Sequence, residues 1–180
     1  MEQRLALKEY GAHLWTRDSA KAIRIRVVEL LKGLAAGDVL VLDVSGVEVF
    51  DFSFANELFG KTILSLATEH SGRFVVVEGL NEYTKENLVK ALESMNITMI
   101  ERKGRKLNLL GKTNLVDEAT FAAIVATKDA VTANVLKEKL SLNLNAMNER
   151  LTKLTGMGLV RRERSVSPAG REQFEYRVLS

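Results

Sequence analysis

Residues 130–179 read AVTANVLKEKLSLNLNAMNERLTKLTGMGLVRRERSVSPAGREQFEYRVL, and their punctuation sets out a helix, a turn, a second helix and a hairpin. Thr132 is placed to cap a short helix over Ala133 to Leu140, because its hydroxyl can accept a bond from a first-turn N–H. Ser141, Leu142 and Asn143 then form a polar break of the length found between the two helices of a helix-turn-helix. In the second helix, Leu144 to Thr155, the residues Leu144, Met147, Leu151 and Leu154 recur at three- and four-residue spacing and predict one buried stripe. Asn145, Ala146, Asn148, Glu149 and Lys153 are left for the opposite side. Gly156 and Gly158 stop the helix. Two short strands follow, Leu159 to Arg164 and Gln173 to Leu179, joined by Ser167-Pro168-Ala169-Gly170, where Pro second and Gly fourth suit a type I turn.

The spacing Met147, Leu151, Leu154, Gly158-Leu159-Val160 resembles the winged-helix domains of MarR-like bacterial regulators, over roughly the last third of the chain. The resemblance implies duplex DNA as partner, with the second helix in the major groove. The candidate DNA-facing residues on that helix are Asn143, Asn145, Ala146, Asn148, Arg150 and Lys153. Asparagine can bond bidentately to adenine there. On the wing, Arg161, Arg162, Arg164 and Arg171 suit phosphate or minor-groove contact. Glu149 on the same helix would repel phosphates, and some winged helices are docking or dimerisation units. A protein-docking role is therefore the competing expectation.

Composition bounds the rest. The chain has 180 residues, 46% of them apolar, enough for one large or two small cores. With no cysteine, disulfide frameworks and thiolate metal or redox chemistry are excluded. No segment reads as a membrane span or a signal peptide, so a cytoplasmic location is the default expectation. The net charge is +3. Residues 1–110 balance 15 basic against 15 acidic side chains, and residues 111–180 hold 11 basic and 8 acidic. The excess is compatible with nucleic acid, although phosphate contact depends on local clustering rather than totals.

The first 110 residues alternate strand and helix signals. Leu5 to Tyr10 predicts an opening strand, and Arg17 to Leu34 a helix with Ala20, Ile23, Val27, Leu30, Leu31 and Leu34 on one face. Val39-Leu40-Val41-Leu42, ending at Asp43, predicts a strand buried on both faces of a partly parallel sheet. A helix starting at Ser53 carries Ala55, Leu58, Phe59, Ile63 and Leu66 inward, with Glu57 and Lys61 paired on the exposed side. Phe74 to Glu78 is the next strand, Asn81 caps a helix to Met95, and Ile97 to Glu101 and Leu107 to Leu110 flank a turn at Lys103-Gly104. Such alternation predicts an α/β layer fold. The expected organisation is an α/β domain over residues 1–110 and a small winged-helix domain over 111–180, joined near Gly111 to Leu115.

Within the first part, VLVLDVSGVEVFDFSFANELFG (residues 39–60) resembles the STAS domain of anti-sigma-factor antagonists: a buried strand ends in Asp, and an Asp-Ser-Ser-Gly-like element opens a helix. The matching element is Asp51-Phe52-Ser53-Phe54, with Phe52 in place of the first Ser and Phe54 in place of the Gly. A nearer likeness is to STAS-like domains of unknown function, which favour a Ser-Phe pair followed by acidic and aromatic positions. Ser53-Phe54, Glu57-Leu58-Phe59-Gly60 and Thr16-Arg17 fit that pattern. The resemblance implies a mixed sheet with helices, and Ser53 as the position that antagonists present for phosphorylation. A protein partner such as a kinase-like ATPase or a sigma-factor regulator is implied with it.

Plainer readings stand beside these. Ser53 suits an N-cap; a phosphate there would sit at a helix N-terminus, where free N–H groups favour it. Asp43 and Asp51 read as turn and capping carboxylates rather than an acid-base pair. His13 and His70 are isolated, Gly111-Lys112-Thr113 lacks the spacing of a P-loop, and no hydrolase triad, metal set or cofactor signature is present. An enzyme is not expected. Two expectations remain: a DNA-binding regulator with a STAS-like sensing or interaction domain, or an interaction switch that binds no DNA. A homodimer fits either.

Overall fold

The computed structural model describes residues 1–127 and 129–179 of the mixed α/β chain. In chain order its elements begin with β1 (Glu2–Ala6), β2 (His13–Leu14), α1 (Arg17–Gly33), β3 (Val39–Asp43), β4 (Val49–Phe50) and α2 (Phe52–Ala55). A π-helical turn (Asn56–Gly60) joins α2 to α3 (Lys61–Thr68), followed by β5 (Phe74–Glu78), α4 (Glu82–Ser94), β6 (Thr98–Lys103) and β7 (Lys106–Gly111). Then come α5 (Leu115–Val125), β8 (Val131–Thr132), α6 (Ala133–Lys139), α7 (Leu144–Gly156), β9 (Arg161–Val166) and β10 (Glu172–Arg177). Contacts divide the chain into Met1–Thr113 and Asn114–Ser180.

The N-terminal unit is built on a five-stranded sheet in the order β1-β3-β5-β6-β7, parallel except for the final β6–β7 hairpin. The parallel strands advance in one direction without reversal. Right-handed crossovers therefore bring every connecting helix to the same face. Leu5, Leu40, Leu42, Val75, Val77 and Met99 belong to the core shared with α1, α2, α3 and α4. The alternate residues of the same strands point to the other face: Glu2, Arg4, Val41, Asp43, Val76, Glu78, Ile100 and Arg102. There Arg4 reaches Asp43 at 2.8 Å and Glu78 at 2.7 Å, and Arg102 pairs with Glu78 and with Glu2. These long side chains tie β1, β3, β5 and β6 together above a row of apolar residues, and burying their stems along that row covers apolar surface. Both arginines are held above their usual range, Arg102 by its bond to Glu2 first and Arg4 by its bond to Asp43 first.

Several expectations change. The opening strand lies earlier than Leu5 to Tyr10: Glu2 through Ala6 pair in parallel with Val39 through Asp43, and Leu7–Tyr10 turn as a short 3₁₀ helix that buries Leu7. Ser53 is not the cap of its helix. Asp51 is, its Oδ1 accepting from the Phe54 N–H at 2.7 Å, which leaves Ser53 half-buried in the first turn. Glu57 and Lys61 do pair, at 2.6 Å, but Glu57 is buried, because the π turn adds a residue and rotates it toward α1. The strand over 39–43 is buried as its unbroken apolar run predicts, and Asn81 caps α4 in a capping box with Thr84.

The C-terminal unit packs α5, α6 and α7 with a three-stranded antiparallel sheet in the order β8-β10-β9. Its buried residues include Phe121, Ile124, Leu136, Met147, Leu151, Leu154, Leu159, Val160 and Tyr176. Helix α5 and strand β8 extend the two-helix-and-hairpin pattern read from residues 130–179. Asn114 caps α5 through the Asp117 N–H at 2.8 Å, and Val131 pairs with Tyr176. Among the described residues no helix is long and apolar enough to cross a membrane.

Candidate functional site

The turn between α6 and α7 is closed by backbone geometry. Leu142 N–H donates to Lys137 O at 2.8 Å and Ser141 N–H to Glu138 O at 3.3 Å, with Ser141 at φ 53°. This is a Schellman closure with serine where glycine is usual. Asn143 then starts α7, its Oδ1 accepting from the Ala146 N–H at 2.8 Å. Leu154, Thr155 and Gly158 close the other end in the same way, Gly158 at φ 71°.

Met147, Leu151 and Leu154 turn inward as their spacing predicts, but Leu144 is exposed, because at the first turn it lies beyond the edge of the core. The outward stripe of α7 runs Asn145, Asn148, Glu149, Thr152 and Lys153, all exposed. Ala146 and Arg150 are half-buried at its margin. A shallow depression lies at the N-terminal end of α7, lined by Asn143, Leu144, Asn145, Ala146 and Glu149. Two residues of the predicted DNA-facing set have other employment. The Asn143 oxygen is the helix cap, and the Lys153 ammonium lies 2.5 Å from Oδ2 of the buried Asp117.

The hairpin sorts its arginines. Glu163 sits 2.6 Å from Arg161 and 2.5 Å from Arg177, so Arg161 shares one carboxylate with Arg177. Arg162 lies 4.6 Å from the centre of the Phe174 ring and bonds to Tyr176, so it is oriented without a carboxylate partner. Burial pushes the Tyr176 hydroxyl up, and Arg162 opposes that shift. Arg164 is exposed on the same side of β9 as Arg162, and Arg171 is exposed beyond the turn in which Gly170 N–H donates to Ser167 O at 2.8 Å. The sequence-predicted cations therefore divide into Arg150, Arg162, Arg164 and Arg171, without carboxylate partners among the described residues, and Lys153 and Arg161, already paired.

In the N-terminal unit the predicted residues serve separate tasks. Asp43 accepts from the Ser45 N–H at 2.9 Å and from Arg4 at 2.8 Å. Burial pushes its carboxyl up, but Ser45 and Arg4 outweigh that and hold it below its ordinary value. Asp51 caps α2, and Ser53 stands two residues inside. Sequence reasoning missed the surroundings of Glu57, where Arg17, Arg24 and Lys61 converge from two helices. Arg17 and Glu57 lie 40 residues apart in sequence, and only the fold joins them.

No protein-family profile matches the chain. No curated protein matches it either. One similar solved structure is that of a "possible transcriptional regulator" from Methanosarcina mazei Go1, at 14% identity and a TM-score of 0.35. The match covers 38% of this chain and 57% of that one, and a likeness so slight bears on neither fold nor activity.

Proposed function

We propose that the chain is a DNA-binding transcriptional regulator, with a MarR-like winged helix in residues 114–180 and a STAS-like sensing or partner-binding domain before it. The observation that carries this reading is the pairing of a polar stripe on α7 (Asn145, Asn148, Thr152) with the unneutralised arginines 162, 164 and 171 of the hairpin. Polar amides at the N-terminal end of a helix that follows a tight turn suit the reading of base edges in the major groove. Hairpin arginines suit phosphate contacts, which position the helix without specifying sequence. For the N-terminal unit, support comes from the one-sided arrangement of helices on its sheet and from the order of buried strand, Asp51 cap and helix.

The docking alternative has its own support. Val166 and Phe174 are exposed on the wing, and Glu149 stands among the asparagines. Binding of the full chain to mixed-sequence duplex, followed by fluorescence anisotropy across a salt series, separates the two. Affinity should fall with salt, with a log-log slope of about −0.9 for each phosphate contacted. Absence of duplex binding at low ionic strength would transfer the reading to the interaction switch.

A further inference from the structure

The cluster around Glu57 is built the wrong way round for stability alone. Its carboxylate is wholly buried inside the π turn, 2.6 Å from Lys61 Nζ, 3.2 Å from Arg24 Nη2 and 4.0 Å from Arg17 Nε. Neither Glu57 oxygen has a well-aimed hydrogen bond, and the buried Nε of Arg24 has no acceptor. A carboxylate so deeply buried stays charged only with close cations around it. Here three cations attend it, and Lys21, which also pairs with Asp18, adds to the field.

Arg17 occupies the first turn of α1, where the helix dipole is positive and a cation is disfavoured, and Lys21 and Arg24 follow four and seven residues on along the same face. Asp18 is the only acidic residue in that first turn. Counting Asp18 and Glu57 against Arg17, Lys21, Arg24 and Lys61 leaves two positive charges over. Burial pushes the Glu57 carboxyl up, yet Lys61, Arg24 and Lys21 overcome that and hold it below its usual value. The glutamate thus stays charged and acts as an inner anchor for Arg17 and Lys61, whose side chains remain about half exposed.

Two aromatic side chains at the starts of α1 and α2 are exposed. Strands β2 and β4 run parallel in the register His13↔Val49 and Leu14↔Phe50, so the chain leaves them side by side into α1 and α2. That exit carries Trp15, 49% exposed, immediately before Thr16-Arg17, and Phe52, 40% exposed, after Asp51. Thr16 caps α1 at φ 72°, a conformation that costs a β-branched residue energy.

From this juxtaposition we infer that Arg17, Arg24 and Lys61, anchored by Glu57, form a binding site for a small phosphomonoester, with Trp15 and Phe52 beside it. A phosphomonoester carries between one and two negative charges near neutrality, about the surplus in the cluster. Guanidinium groups match its oxygens by paired N–H donors.

The test uses phenyl phosphate as probe, with the full-length chain and chloride at matched ionic strength as control. Trp15 is the chain's single tryptophan and reports locally on binding through its fluorescence. Saturable binding is expected, weakened tenfold or more in Arg17→Gln, whose half-exposed position lets circular dichroism verify that the variant folds. The double variant Arg162→Ala/Arg164→Ala should bind the probe as the parent does. No saturation at concentrations on the order of 10 mM overturns the inference. So does binding that survives Arg17→Gln and disappears in the hairpin double variant. Neither result depends on whether the C-terminal unit binds DNA.

Discussion

Replacing Asp51 and Ser53 separately tests where helix α2 begins. Asp51 Oδ1 accepts the Phe54 N–H at 2.7 Å, and the Phe54 ring it fixes stacks on Phe50 at 5.7 Å, with the Phe59 ring 5.4 Å from Phe50. Losing an N-cap acceptor costs ~1 kcal/mol, within a range of about 0.5 to 2. Losing the negative charge at a helix N-terminus adds about 0.3 to 1 kcal/mol. Asp51→Ala removes both and should destabilise the N-terminal unit by ~1 to 3 kcal/mol, whereas Asp51→Asn keeps the acceptor and should lose only the charge contribution. Ser53→Ala removes a hydroxyl that caps nothing and should stay within about 0.5 kcal/mol. Urea unfolding followed by Trp15 fluorescence reads this unit, because the only tryptophan lies in it. The reasoning fails if Ser53→Ala costs as much as Asp51→Ala, since the acceptor would then be the serine.

Duplex affinity should respond unequally to the cations of the C-terminal unit: Arg162→Ala or Arg164→Ala should flatten its salt dependence by about one unit each. Lys153→Ala should leave that slope unchanged and lower the stability of the unit, because it leaves the buried Asp117 carboxylate without its cation and with only the Asn114 amide on Oδ2; a slope change equal to that of Arg164→Ala would contradict this assignment. His70 is buried, and its imidazole is pushed below its ordinary value by desolvation first, then by Arg73 and Lys32, with Glu69 opposing. The unfolded chain therefore binds the proton first. His70's contribution to stability is full above about pH 6.5 and is lost as pH falls below it, with a slope of at most ~1.4 kcal/mol per pH unit. His70→Gln should flatten the stability profile just below about pH 6.5, and an unchanged slope there would remove His70 from the account. Gly111 has φ 93°, and a Cβ on it would lie 2.5 Å from the Ile97 carbonyl oxygen and 2.6 Å from Leu92 Cβ. Gly111→Ala should therefore cost more than ~1 kcal/mol in the same unfolding assay, and a neutral result would mean that the β6–β7 edge yields easily.

Periodicity alone located most of the elements, because burying one face imposes spacings of two or of three and four on the apolar residues. Val39 to Leu42, the Met147-Leu151-Leu154 stripe and the caps Thr132 and Asn81 are local signals of this kind, and they stand in the structure as read. Helix α5 escaped because LVDEATFAAIV is apolar on nearly every side and has no clear stripe. Strand β8 escaped because two residues carry no period at all. The transfer of the cap from Ser53 to Asp51 turned on where the chain leaves β4, a pairing with β2 that lies 36 residues earlier in sequence. Charge was the least legible property. Glu57 and Lys61 four residues apart look like an exposed helical pair, and only the packing of the π turn against α1 buries the glutamate and gathers Arg17 and Arg24 around it. In the same way, residue types alone could not tell Lys153, bound to Asp117, from Arg164, which has no carboxylate partner among the described residues. Residue type sets which side chains carry charge, but a charge is neutralised by whatever lies within a few ångströms, and non-local packing decides which groups come that close.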